Sequence, residues 1–238
     1  MRWSKITERG PVRSRNEDAL CVCPELGLFA VADGMGGHQA GEIASMLALK
    51  TMEVHFWQHQ AGNGEQIALL REAVVAANQA VYQDARHNPQ RRGMGTTITA
   101  CLLNEGELLV ANVGDSRALL LRDGGLTKLT SDHSLVQKLI DGGGITEADA
   151  FKHPKRNVLT RALGVAPLVE VDIFAYYIAA GDKVLICTDG LSAFVEEKRI
   201  AELMGLSDDP AVTVRLLLDE AITAGSNDNI TIICMAVE

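Results

Sequence analysis

Three β-rich runs lie almost end to end in the middle of the chain: Thr96 to Leu103, Glu107 to Val113 and Arg117 to Arg122. Only residues 104–106 and 114–116 separate them. A parallel pair needs a crossover of about a dozen residues, so these runs can meet only as antiparallel neighbours. Turn residues punctuate them at Asn104–Glu105–Gly106 and Asp123–Gly124–Gly125. A doubly wound parallel sheet is therefore excluded for this region. Further strands are predicted at Leu28 to Ala32, Val169 to Tyr177, Lys183 to Cys187 and Asn229 to Val237.

Helical periodicity appears in two long blocks ahead of the strands. From Ala40 to His59 the apolar residues Ile43, Met46, Leu47, Met52 and Phe56 recur at helical spacing. From Glu65 to Arg86 the series is Ile67, Leu70, Val74, Ala77 and Val81. Each fits an amphipathic helix with one face on a core, and the short link Gln60–Gly64 allows antiparallel packing. Two more helices are expected at Glu196 to Met204 and Pro210 to Ala224. Helices grouped between runs of strands indicate α+β layering, with helices covering antiparallel sheets. Ser134 to Asn157 fits no period, mixing a short helical run with Gly142–Gly143–Gly144 and His153–Pro154.

The 238 residues show no repeat and no long linker, so one domain over 1–238 is expected. A formal charge of −9 argues against a nucleic-acid or anionic-membrane binder. The five cysteines lie in apolar runs without C-x-x-C pairing, as buried thiols in a reducing compartment do. The first ten residues lack the apolar stretch of a signal peptide, and no apolar run approaches the ~18 residues of a membrane span. A cytoplasmic, membrane-free monomer is the expectation.

The chemistry is suggested by where the carboxylates fall. Leu28 to Ala32 runs into Asp33–Gly34, Leu108 to Val113 into Gly114–Asp115, and Val184 to Thr188 into Asp189–Gly190. Asn227–Asp228–Asn229 immediately precedes the last strand, and Glu17–Asp18 lies upstream. A single Asp beside a Gly is most often a turn residue. Four of them at rigid strand ends, if they converge, repel one another and raise each other's pKa unless cations intervene. All-oxygen ligation selects hard ions such as Mg²⁺, Mn²⁺ or Ca²⁺. Competing motifs fail: the Gly34–Gly37 cluster lacks the Lys of a phosphate-binding loop, and Gln39 breaks the dinucleotide fingerprint. His55 and His59 are four apart, but Phe56–Trp57 replaces the Glu of a zinc-protease helix.

Taken in order, several short motifs resemble those of the metal-dependent Ser/Thr protein phosphatases of the PP2C or PPM family. They are Arg13-x-x-Asn16–Glu17–Asp18, Asp33–Gly34–Met35–Gly36–Gly37, Gly95–Thr96–Thr97, Gly114–Asp115–Ser116–Arg117, Asp132–His133–Ser134, Asp189–Gly190 and Asp228–Asn229. Together they span residues 10–237, and the run from His153 to Gly164 is similar to the small stand-alone bacterial branch. The resemblance implies a four-layer α/β/β/α sandwich, two antiparallel sheets flanked by helix pairs. It implies two Mn²⁺ or Mg²⁺ ions, with Asp33 bridging them and the Gly34 carbonyl on one. Asp189 and Asp228 would hold the other ion, while Glu17 would support the first, with Asp18 behind it. Arg13 would grip the substrate phosphate through its planar fork of donors. Asp115 with Asp189 would make a weaker third site. The implied activity is hydrolysis of phosphoserine and phosphothreonine on proteins by a water activated between two ions, opposing a Ser/Thr protein kinase. Some stand-alone relatives counter kinases that switch on type VI secretion, though no residue here tests that.

Two departures from the family pattern stand out. Met35 occupies a position where some members carry a His proposed as general acid, and His38 is not assigned that role. Ala193 stands where many relatives carry another Asp. The segment Ser134 to Asn157 coincides with the family's flap and is expected to select the phosphoprotein substrate. Two other readings compete. One is a relative acting on anti-sigma-factor antagonists by the same chemistry; the other is a catalytically dead phosphoprotein-binding module, which Asp33, Asp189 and Asp228 disfavour.

Overall fold

The computed structural model describes residues 1–36, 40–59, 65–104 and 106–238. The chain begins with strands β1 (Arg2–Glu8), β2 (Asp18–Cys23) and β3 (Leu28–Met35), then helices α1 (Ala40–Gln58) and α2 (Gln66–His87). Next come β4 (Gly95–Thr96), β5 (Ile98–Asn104), β6 (Glu107–Val113), β7 (Arg117–Arg122) and β8 (Gly125–Lys128). Two short helices, α3 (Leu135–Asp141) and α4 (Glu147–Phe151), lie in the segment that lacked a period. The remainder is β9 (Asp172–Tyr177), β10 (Lys183–Cys187), α5 (Asp189–Ser192), α6 (Glu197–Gly205), α7 (Pro210–Thr223) and β11 (Ile230–Ala236).

One sheet has the order β1-β11-β10-β7-β8; the other runs β2-β3-β5-β6-β9, with β4 added against β3. Every pairing is antiparallel, as the short connections require. Phe29, Val31 and Val110 from one sheet interleave with Leu120, Ile186 and Ile233 from the other. On the far side of the second sheet, Leu28, Ala30 and Leu109 pack against α1 and α2. On the far side of the first, Leu119, Leu185 and Ile232 pack against α6 and α7. The result is the expected α/β/β/α sandwich. The inner strands are covered on both faces, which is why they read as continuous apolar runs rather than alternating ones.

β1, β2 and β8 were not expected from the sequence, and all three are edge strands. β1 is largely exposed and carries Lys5 and Glu8 among its residues, so it shows little apolar signal. The predicted strand at Val169 begins later, at Asp172, because residues 169–171 run without strand pairing.

The buried helix faces differ from the expected ones at Met46 and Ile67. α1 faces inward through Ala44, Ser45, Ala48, Met52 and Phe56, while Met46 points out at 57% exposure. Ile43, Leu47, Met52 and Phe56 lie on the core side as expected, and the small residues Ala44, Ser45 and Ala48 between them let the helix lie close to the sheet. In α2, Leu70, Val74, Ala77 and Val81 are buried as expected, but Ile67 is 46% exposed. Gly37, His38, the link Gln60–Gly64 and Glu105 lie outside the described residues. All five cysteines are free, four of them buried, and burial pushes the Cys187 and Cys234 thiols up to about 12. Among the described residues no helix is long and apolar enough to cross a membrane.

Candidate metal centre

The predicted carboxylates come from both sheets and meet at one end of the sandwich. Asp33 lies near the end of β3, directly across from Asp18 in β2. Its N–H donates to the Thr97 hydroxyl (2.9 Å), and its carbonyl accepts from the Thr97 N–H (2.9 Å) and the Thr96 hydroxyl (2.9 Å). Asp189 starts α5 at the end of β10. The preceding Thr188 donates its hydroxyl to the buried Asp18 (2.8 Å) and accepts from the Thr231 N–H (3.0 Å). One threonine thus ties together the three strands that bring in Asp18, Asp189 and Asp228.

Two glycines allow the close approach. A side chain at Gly34 would collide with the Gly41 carbonyl and lie 2.6 Å from the Glu17 carbonyl oxygen. At Gly190 it would collide with the Asn229 carbonyl. These are steric requirements on either side of the carboxylates.

The loop between β1 and β2 carries Arg13 and Glu17, and Asn229 staples it down. The Asn229 side chain donates to the carbonyls of Arg9 (2.8 Å) and Arg15 (2.7 Å) and accepts from the Glu17 N–H (2.8 Å). Arg13 pairs with Asp228 (2.6 Å) and donates to the Asn227 carbonyl (3.3 Å). Asp115 sits in the turn where the chain leaves β6 in one sheet for β7 in the other. His133 holds that turn: its Nδ1 accepts from the Gly114 N–H (3.0 Å), and its N–H donates to the Gly114 carbonyl (2.8 Å). With Nδ1 accepting, the ring proton is on Nε2, facing Asp172 at 3.1 Å. Arg161 reaches the same Asp172 carboxylate at 2.6 Å. Beside the turn, Arg117 forks onto Asp132 at 2.6 and 3.0 Å.

Sequence reasoning named the motifs holding Asn229 and His133 but gave neither a role. Both act through the backbone of a loop rather than through a charge at the site. The pattern that could have revealed Asn229 is its position between a ligand Asp and an apolar strand, where an amide is not needed for pairing.

The electrostatics of the cluster call for positive charge. Burial, then repulsion from Asp18, Asp189, Asp115 and Asp228, raises Asp33 well above the ordinary carboxylate value. Burial and Asp228 raise Asp189 to about 6, and burial raises Asp18 to about 7. Asp115 and Glu17 are raised as well, chiefly by burial. One oxygen of Asp189 is buried without any hydrogen-bond partner. A buried, orphaned carboxylate oxygen among further carboxylates fits a divalent cation, which would satisfy the oxygen and offset the charge. The donor set is all oxygen, as Mg²⁺ and Mn²⁺ require. Among the described residues the donors do not yet close into a cage of three around one point. Glu17, Asp33, Asp115, Asp189 and Asp228 line one cavity of about 620 Å³ that also holds Arg13, Gly34 and Met35. A second cavity, of about 340 Å³, lies under α3 and α4 and includes Ala193; Asp115, Asn157 and Asp189 line both.

Comparison with known proteins agrees with this arrangement. The family model described as "Protein phosphatase 2C" matches residues 12–215. The chain is 40% identical over 233 residues to the serine/threonine protein phosphatase PstP of Mycobacterium tuberculosis, covering 98% of this chain and 44% of that protein. It is 36% identical to the serine/threonine phosphatase stp of Listeria monocytogenes, covering 95% of this chain and 92% of that one. The catalytic domain of PstP in complex with two manganese ions superimposes with a TM-score of 0.89 at 37% identity, over 100% of this chain and 98% of that one. The chain thus spans less than half the length of the mycobacterial relative.

Proposed function

The chain belongs to the protein phosphatase 2C family, and on that premise we propose that it is a Mn²⁺- or Mg²⁺-dependent phosphatase of phosphoserine and phosphothreonine in proteins. The observation that carries this reading is the convergence of Asp33, Asp189 and Asp228 with Arg13 in one cavity, with a buried Asp189 oxygen lacking any partner. Asp33 and the Gly34 carbonyl, with Glu17 in support, would hold one ion; Asp33, Asp189 and Asp228 would hold the other. A weaker third site would rest on Asp115 and Asp189, with Ala193 contributing no donor. When bound, two such ions supply Lewis acidity, which makes a water nucleophilic near neutral pH and offsets charge on the phosphoryl group.

The chain's own residues do the remainder. Arg13 presents an exposed guanidinium whose direction is fixed by Asp228 and by the Asn227 carbonyl, and its free donors suit phosphate oxygens. Asp18 lies behind the cavity and, through Thr188, sets the distance between β2 and β10. Asn229 fixes the loop bearing Arg13 and Glu17, so positioning energy is built in before substrate arrives. No histidine is among the described residues lining the cavity, and Met35 has no proton to give.

Phosphorylated proteins are the substrates this reading calls for, and a Ser/Thr protein kinase is the natural source of them. The segment 134–157 borders the second cavity, and on this reading it would select the substrate protein. A cytoplasmic, monomeric enzyme of one domain over 1–238 completes the proposal. The test is turnover of p-nitrophenyl phosphate and of a phosphothreonine peptide, with and without Mn²⁺, by wild type and Asp33→Asn. Turnover that requires Mn²⁺ and falls by about 10²-fold or more in the variant is expected. Metal-independent turnover or an active variant would falsify the assignment, and peptide binding without turnover would favour the binding module.

A further inference from the structure

The cavity that holds the carboxylates has a second wall of different character. Residues 159–171 run along its rim as irregular backbone, yet side chains of α2 hold them from beneath. Asn78 is fully buried; it donates to the carbonyls of Ala166 (3.1 Å) and Pro167 (3.4 Å) and accepts from the Gly164 N–H (2.8 Å). Arg71 donates to the Val171 carbonyl (2.8 Å). Leu163 exchanges two backbone hydrogen bonds with Thr96 (3.1 and 2.8 Å). A surface loop is ordinarily polar and loosely held, and this one is neither.

Besides the Arg161–Glu170 ion pair at its ends, what the anchored segment displays between them is apolar. Val165 is 61% exposed and Leu168 79%, and both line the same cavity as Arg13 and Asp33. Below them a Val165 methyl and the Met35 thioether methyl converge over Gly95. A Cβ there would lie 3.2 Å from the first and 2.7 Å from the second. One side of the cavity is thus charged and the other is built from Met35, Val165 and Leu168. The volume of about 620 Å³ matches pockets that enclose ligands far larger than a phosphate group.

We propose that this wall recognises the substrate chain next to the phosphoresidue, selecting segments that carry a large apolar side chain there. The inference rests on the phosphatase reading above. The occupant follows from continuity: a phosphate drawn to Arg13 brings its flanking residues to the apolar rim of the same cavity. Because Asn78 and Arg71 already order the rim, binding need not pay to order it, and the contact discriminates fully. A single large apolar side chain in such a setting is worth roughly 10-fold or more in kcat/KM.

The experiment uses phosphothreonine peptides with Leu or Ser at each of the two residues on either side of the phosphoresidue. Their kcat/KM values with Mn²⁺ are compared, and binding of the same peptides is read by fluorescence anisotropy. Wild type is expected to prefer a Leu-flanked peptide by about 10-fold, and Leu168→Ser and Val165→Ser to reduce that ratio to about 2-fold or less. Both side chains are exposed, so neither change threatens the fold. Equal use of the peptides by wild type, or an unchanged ratio in both variants, overturns the inference. Turnover of p-nitrophenyl phosphate, which has no flanking chain, reports separately on the metal centre. Its absence in wild type would sink the phosphatase reading, while anisotropy still measures the peptide preference.

Discussion

Stripping the divalent ions should leave a protein that loses stability as pH rises through neutrality, and restoring them should remove that loss. In the metal-free protein burial raises Asp18 to about 7, and burial with repulsion from Asp228 raises Asp189 to about 6. A carboxyl with a higher pKa folded than unfolded holds its proton in the native state after the unfolded chain has released it. Unfolding therefore gains on folding as pH climbs from the unfolded value near ~4 to the folded one. From pH 5 upward, about two units remain before Asp18 titrates, and at ~1.4 kcal/mol per unit the loss is about 3 kcal/mol. The Asp189 shift belongs to the same coupled cluster and is not added to it. For a chain of this size that corresponds to a fall in Tm of about 6–12 °C. Thermal unfolding followed in EDTA and in saturating Mn²⁺, from pH 5 to pH 8, measures it. The EDTA profile should fall by that amount relative to the Mn²⁺ profile, since bound cations remove the reason for the carboxyls to keep their protons. Parallel profiles in the two media would refute the electrostatic reasoning.

Two further changes test how the site is held. Asn229→Ala removes three hydrogen bonds, taking a partner from the half-buried backbone groups of Arg9, Arg15 and Glu17. A loss of about 2–4 kcal/mol in urea unfolding is expected, together with a fall in kcat/KM as Arg13 and Glu17 lose their positions. Unchanged stability and turnover would show that the loop holds itself. Gly190→Ala drives a methyl into the Asn229 carbonyl and should separate Asp189 from Asp228. Isothermal titration with Mn²⁺ should then register weaker binding by about 10-fold or more, whereas wild-type affinity would mean the backbone yields at no expense.

The inner strands were legible because they are buried on both faces, and the apolar runs 108–111 and 184–187 mark them. β1 was not, because an edge strand of mixed polarity is fixed by its partner β11, more than two hundred residues away, rather than by its own pattern. The inward face of α1 was legible from Ile43, Leu47, Met52 and Phe56, while Met46 was assigned to it and points out; the small Ala44 and Ala48 that complete the face carry little apolar signal. At the site, charge made the candidates visible: Asp33, Asp115 and Asp189 stand beside glycines at strand ends, and Asp228 stands just ahead of the last strand. The residues that place them, Asn229, Thr188 and His133, are polar side chains whose partners lie far along the chain, and only three-dimensional contacts give them a role. The apolar rim was hidden too, since Val165 and Leu168 look like core residues until Asn78 is seen to hold the loop outward-facing.

The order of strands in the first sheet has a consequence for how such a protein is born. β11 lies between β1 and β10, so β1 has no partner until a strand more than two hundred residues further along has been made. Asp228 and the Asn229 staple sit at the head of that same strand. A nascent chain that has already made Asp33 and Asp189 still lacks the contacts that fix Arg13. On the proposed reading, a chain cut short ahead of residue 228 should be inactive whatever else it has folded. The long sequence separation also slows the search for the native pairing, which leaves β1 in need of protection while it waits.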